Sequence, residues 1–156
     1  MNTTATWRVR AGARGDVAAV AAAVRELLVE LGGTPASAQG LEEAARALVE
    51  DGDAGALLVA DADGELVGVL GVSWQLAMRI PGRYGLIQEL WVHPSWRGRT
   101  IGGDLLVALF ELARERGVAR IEVGLPSERF ARLAATEAFY ANNGFATIGT
   151  RMRRLL

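Results

Sequence analysis

Apolar positions follow a helical spacing early in the chain and a strand-like spacing in its middle. "TWRVR" at 6–10 alternates as a short strand does. Asp16 then stands as an N-cap before Val17, Val20, Val24, Leu27, Leu28 and Leu31, a spacing that gathers them on one helical face, and Gly32 and Gly33 end that helix. "ASAQGLEEAARALVEDG" predicts a second helix with Leu41, Ala44, Ala45 and Leu48 inward and Gly52 as its stop. "GALLVA" and "ELVGVLGVSWQLA" flank "DADG", whose Asp63-Gly64 pair suits a tight hairpin turn. "RYGLIQELWV" is the next strand, ended by Pro94.

A helix is predicted from about Gly102 to Arg116, with Leu105, Leu106, Leu109, Phe110 and Ala113 apolar and Gly117 after it. "ARIEVGL" is short and apolar enough for a buried strand. "FARLAATEAFYANN" makes a last helix closed by Gly144, and "FATIGTRMRRLL" supplies one or two final strands. The order is β-α-α-β-β-β-α-β-α-β-β, an α/β domain with a mixed sheet. No repeat, linker or low-complexity stretch divides the 156 residues, so one domain over 1–156 is expected.

Composition narrows the chemistry. Half the residues are apolar, enough for a core without disulfides or metal. The absence of cysteine removes thiol nucleophiles and cysteine-ligated metal, and the single histidine, His93, argues against a zinc site, so no metal is expected. The start, "MNTTATWRVRAG", lacks the apolar run of a secretory signal, and no apolar run approaches the ~20 residues that cross a bilayer. A cytoplasmic protein with no membrane partner is the simplest expectation. Net charge is −1, which disfavours a non-specific nucleic-acid binder despite Arg151, Arg153 and Arg154 near the C-terminus.

"HPSWRGRTIGGDLL" at 93–106 carries the strongest chemical signal. A strand, a glycine-rich turn and a helix N-terminus bring unpaired N–H groups and the positive end of the helix dipole to one point, which attracts phosphate. Gly98, Gly102 and Gly103 allow close backbone approach, and Arg97 and Arg99 can add charge-assisted hydrogen bonds. Glycines that serve only the turn, with solvated arginines, fit the same letters. The P-loop is excluded because the chain has no lysine, and the dinucleotide fingerprint fails on its glycine spacing.

"ELWVHPSWRGRTIGGDLL" resembles the signature of the GNAT superfamily of N-acetyltransferases, [Q/R]-x-x-G-x-[G/A] after a strand ending in a Val-x-Pro turn. Here it stands as Arg97-Gly98-Arg99-Thr100-Ile101-Gly102, and the family's aromatic pair before a glycine-ended helix stands as "AFYANNGF". The resemblance implies a mostly antiparallel mixed sheet flanked by about four helices, and acetyl transfer from acetyl-CoA to an amine. It implies that Arg97, Gly98, Arg99, Thr100, Ile101, Gly102 and Gly103 cradle the coenzyme pyrophosphate. It also implies that Leu90, Trp91 and Val92 lie beside the pantetheine arm through their main-chain groups, with their side chains left to ordinary packing. Thr100 departs from the pattern, which places glycine there. A β-branched residue demands negative φ, and its hydroxyl is then free to cap the helix at Ile101 to Gly103 or to reach a phosphate oxygen.

Transfer needs a neutral amine, and an alkyl amine titrates near ~10.4, so a base or a water chain must take its proton. Glu89, interrupting "LIQELWV", occupies the place of the family's water-linked glutamate. By simple alternation it shares a face with Ile87 and Trp91, though a bulge would reset that parity, and a solvated edge carboxylate fits the letters as well. Tyr140 stands where the family's general acid protonates the departing CoA thiolate, and it also suits a packing aromatic in a Schellman close with Phe145. His93 belongs to turn geometry and is left out of the chemistry.

The resemblance assigns the acceptor pocket to the first two helices and to "RIPGRYG". Glu42, Glu43, Glu50, Asp51 and Asp53 suggest a cationic acceptor, whereas Arg79 and Arg83 suggest a carboxylate-bearing one. The expected function is therefore acetylation of a small-molecule or peptide amine, with a CoA- or drug-binding protein that does not turn over as the alternative. A homodimer pairing through the C-terminal strands follows from resemblance alone.

Overall fold

The computed structural model describes residues 4–156; residues 1–3, the start of the stretch read for a secretory signal, lie outside them. The chain divides after Val123 into two compact units. In the first, strands β1 (Arg8–Ala11), β2 (Gly55–Ala62), β3 (Glu65–Leu76), β4 (Arg83–Val92) and β5 (Ile121–Val123) form one sheet in chain order. The first four pair antiparallel and β5 joins β4 in parallel. Helices α1 (Val17–Glu30) and α2 (Ala38–Glu50) follow β1, and α3 (Ile101–Glu115) connects β4 to β5. The hairpin turn falls where it was read, with Asp63 and Gly64 both left-handed at φ 50° and 89°.

Both sheet faces are covered. Leu57, Val59, Val69 and Trp91 project toward α1 and α2 and pack with Val17, Val20, Ala23, Val24 and Ala45. The other face receives α3, whose Ile101, Leu105, Leu106 and Leu109 are fully buried. Each such aliphatic side chain stabilises the fold by roughly 2 kcal/mol, which fixes the rotation and depth of α3 and hence the place of its N-terminus.

Several details differ from the sequence reading. Asp16 stands at the N-cap position of α1, but its side chain makes no capping hydrogen bond to that helix. It closes the preceding 3-10 turn by accepting the Ala13 N–H at 2.7 Å, while Arg10 binds it bidentately at 2.7 and 2.9 Å and also reaches Asp61 at 3.2 Å. That guanidinium holds the Asp16 carboxyl below its ordinary range. Ser37, unremarked in the sequence, caps α2 by accepting the Gly40 N–H at 3.1 Å. Ala44 and Leu31 face solvent, and Val49 rather than Ala44 joins Leu41, Ala45 and Leu48 inside. β5 spans only three residues, all half-buried rather than buried.

The second unit, from Gly124 onward, holds α4 (Leu133–Asn142). Its end is a Schellman close: the Gly144 N–H donates to Ala141 O at 3.1 Å and the Phe145 N–H to Tyr140 O at 3.0 Å. Gly144 takes φ 88°, a value that an L side chain there would strain. The expected final strands do not form; residues 145–156 have no regular structure. Their unit contains one helix and no strand edge, so an extended segment there finds no ladder for its backbone groups. Ile148, Met152, Leu155 and Leu156 stand exposed. No helix among the described residues is long and apolar enough to cross a membrane.

Candidate active site

The register of β3 against β4 shifts between Gly71 and Val72: Gly71 pairs with Glu89 and Val72 with Ile87, leaving Gln88 as an extra residue on β4. This bulge separates Glu89 from Ile87. Glu89 lies level with Gly71 on the α1/α2 face, as Trp91 does with Val69, whereas Ile87 lies level with Val72 on the α3 face. Simple alternation, which joined Ile87 to Glu89 and Trp91, is corrected in its first half.

Gly71 makes the room. A Cβ there would meet the Glu89 carboxylate, with Leu48 of α2 3.8 Å behind it. The Glu89 side chain therefore occupies a notch that any other residue at 71 would fill. Burial is the cause that lifts its carboxyl from the ordinary 4.5 to about 7. Gly71 was not singled out in the sequence; the available signal was a glycine inside a long apolar strand.

β5 ends at Val123, level with Ile87, so β4 from Gln88 to Val92 has no strand on its outer edge. The His93 N–H donates to Val67 O at 2.9 Å, which sets the alternation of the ladder: Trp91 turns its main-chain groups toward β3, and Leu90 and Val92 turn theirs outward. Trp91 is thus corrected as a main-chain ligand on that edge; its ring is buried in the core beneath α1. The Val92 carbonyl accepts from Arg97 Nε at 2.9 Å, leaving the Leu90 groups and the Val92 N–H on the open edge.

Beyond β4, His93 acts in the turn, accepting the Ser95 N–H at 3.1 Å through Nδ1. The two arginines of the loop differ. Arg97 holds Glu30, at the end of α1, through contacts of 2.7 and 3.0 Å, so its guanidinium is committed. Arg99 lies over the Trp96 ring at 4.7 Å, is exposed, and has no acidic partner among the described residues. Gly98 has φ 79° with open space around it, the one residue of 97–103 in the left-handed region. The helix ladder of α3 begins with the Asp104 N–H donating to Thr100 O at 2.8 Å, so the N–H groups of Ile101, Gly102 and Gly103 lack intrahelical partners.

Thr100 has φ −89°, negative as a β-branched residue requires. Its hydroxyl makes no cap and instead donates to Asp104 at 3.2 Å, a carboxylate that also accepts the Trp7 indole N–H at 2.8 Å. Neither Trp7 nor Asp104 carried a signal, since their meeting joins residues 97 apart in the chain.

In the second unit, Tyr140 is buried on α4, edge to face with Phe139 at 5.1 Å and Phe145 at 5.3 Å. Burial pushes its phenol from the ordinary 10.0 up to about 12. The packing expected of this aromatic in the Schellman close is present. No cluster of three metal-ligating side chains occurs among the described residues.

The sequence profile of the acetyltransferase (GNAT) family matches residues 21–145. Solved structures of the same fold include an aminoglycoside N-acetyltransferase in complex with CoA, 13% identical, with a TM-score of 0.82 and coverage of 100% of this chain and 98% of that one. A predicted acetyltransferase with acetyl-CoA from Clostridium acetobutylicum is 16% identical at TM-score 0.77, covering 96% of each chain. An acetyltransferase from Trypanosoma brucei is 23% identical at TM-score 0.73, covering 97% of this chain and 100% of that one. No curated protein matches the sequence.

Proposed function

The chain belongs to the acetyltransferase (GNAT) family, and from that premise we propose that it moves the acetyl group of acetyl-CoA to a primary amine of a small molecule or peptide. The observation that carries this reading is the Glu89 carboxylate, set by the bulge into the Gly71 notch and lifted to about 7. A carboxyl titrating there is about half ionised at neutral pH and, in its ionised form, a stronger base than an exposed one, which suits it to take a proton from an amine directly or through water. Acetyl-CoA, when bound, supplies the activated acetyl group.

The residues present fit that cosubstrate. The open edge of β4 at Leu90 and Val92 offers main-chain groups as an added strand would need, and Gly98 leaves its turn unobstructed. The N–H groups of Ile101, Gly102 and Gly103 and the free guanidinium of Arg99 suit a pyrophosphate, while Arg97 serves by fixing the loop to Glu30 and β4. Tyr140, its phenol raised to about 12, keeps its proton throughout the working pH range and donates it to the leaving thiolate.

The test is a panel of amines with acetyl-CoA, followed by thiol release and by thermal melting. Thiol release with at least one amine supports the reading. Protection against melting by acetyl-CoA with no thiol release from any amine would instead establish a binding protein that does not turn over.

A further inference from the structure

The sheet face that carries Glu89 changes character beyond the bulge. Under α1 it is apolar, but toward β5 it presents Ser73, Gln75, Tyr84, Gln88 and Glu122: Gln75 is level with Tyr84, and Glu122 with Leu86, which is level with Ser73. Gly55, level with Ser73, abuts Leu48 of α2, which identifies the face. The five polar residues are half-buried or exposed and surround the buried Leu86, so this stretch is a largely polar floor.

Its donors are spent inward. The amides of Gln75 and Gln88 both donate to Ser73 Oγ at 2.9 Å, which leaves their amide oxygens without a partner among the described residues. Glu122, 15% exposed, has its Oε2 buried without a hydrogen bond; Arg79 and Arg120 approach the carboxylate only to 3.7 and 3.8 Å. A carboxylate with two distant cations and an unmet oxygen has capacity left for a donor.

Arg79 shows what that donor looks like. From the loop between β3 and β4, its guanidinium lies 5.5 Å from the centre of the Tyr84 ring and beside Glu122, and its side chain is 59% exposed. An aromatic face and a carboxylate holding one cation between them have the composition of an ammonium site. Arg83, the first residue of β4, is level with Leu76 and so faces the opposite side of the sheet, where it lines a cavity of about 440 Å³ with Trp74 and Arg116. Arg79 and Arg120 share the single Glu122 carboxylate, so displacing Arg79 leaves Arg120 beside Glu122 and puts the acceptor's own ammonium in the place of the guanidinium.

We propose that Tyr84 and Glu122 form a subsite for a second positive charge on the acceptor, and that Arg79 is the placeholder it displaces. Glu89 stands three residues past Leu86 along β4 and one strand away from Glu122, about 10 Å between backbones. The substrate class is thus a di- or polyamine whose reacting nitrogen meets Glu89 while a distal ammonium binds between Tyr84 and Glu122. This deepens the acetyl-transfer reading and rests on it for the identity of the reacting end.

Calorimetric titration of the CoA-saturated protein with diaminobutane and diaminohexane, against butylamine and hexylamine, tests the subsite without turnover. At least one diamine is expected to bind about tenfold or more tightly than its monoamine counterpart. Glu122→Gln is expected to collapse that ratio toward one, and Arg79→Ala, a change on an exposed loop side chain that leaves the core untouched, to tighten diamine binding severalfold. Equal binding of the paired amines, no binding of either, retention of the ratio in Glu122→Gln, or weaker diamine binding in Arg79→Ala would each overturn the proposal. The same amines are then assayed for thiol release. A diamine preference in binding with no release sinks acetyl transfer and leaves the subsite standing; release from monoamines with no diamine preference does the reverse.

Discussion

In the notch opposite Gly71, burial lifts a carboxyl to about 7; at the end of α4, burial lifts a phenol to about 12. The physical cause is shared, since both sites penalise the charged form, but the consequences are opposite because the starting values differ. Desolvation brings Glu89 into the range where it exchanges protons at neutral pH. It takes Tyr140 out of the range where it would ionise at all. One sort of environment thus suits the base proposed on a strand and the acid proposed on a helix, and each can be perturbed alone.

The largest expected effect comes from removing the titrating group on the strand. Glu89→Gln should lower kcat by roughly 10²–10³-fold and abolish the acid limb of the pH–rate profile, which in the parent should bend near pH 7 and fall about tenfold per unit below it. A profile that keeps its bend would locate the base elsewhere. The same substitution reports on stability. Because burial raises the folded-state value above the ordinary 4.5, the contribution of this carboxyl is fully present below about 4.5 and is lost as pH rises through about 7. Glu89→Gln should therefore gain on the parent across that window, by at most about 3 kcal/mol, in melts taken from pH 4 to 8.

Tyr140→Phe should be milder, lowering kcat by roughly 10–10²-fold while acetyl-CoA affinity holds and the shape of the profile is unchanged to about pH 10. An alkaline limb in the parent below pH 10 that vanishes in Tyr140→Phe would show that the phenol is far less buried than its packing implies.

The two loop arginines extend the contrast to charge. Arg99→Ala should weaken acetyl-CoA binding by about tenfold, with the loss shrinking at high salt. Arg97→Ala should instead lower stability by about 1 kcal/mol through the broken Glu30 pair and disturb affinity less. Equal affinity losses would mean that the Glu30 contact yields when the coenzyme arrives. Smallest of all, Thr100→Gly should move acetyl-CoA affinity by less than about threefold, since its hydroxyl is engaged by Asp104.

Local chemistry was legible in the sequence; meetings between distant segments were not. The Asp63-Gly64 turn, the apolar stripe of α3, and the Gly144 close with Phe145 against Tyr140 all arise within a few residues, and propensity and spacing capture such features. The sign of φ at Thr100 was legible for the same reason. The Gln88 bulge was not, because an inserted residue shows only against the partner strand, and alternation alone placed Ile87 on the wrong face. Glu30 and Asp104 escaped notice because each meets its partner across most of the first unit. "FATIGTRMRRLL" failed in the other direction: its pattern allows a strand, but a strand also needs a neighbour.

The extra residue at Gln88 also makes β4 modular. On either side of it, the inward and outward positions are assigned independently, so the half from Glu89 to Val92 is decoupled from the half from Arg83 to Ile87. Recombination or design can exchange the distal half, with its Tyr84, without re-aiming the carboxylate or the open edge. Deleting Gln88 would weld the two halves into one alternation and remove that freedom.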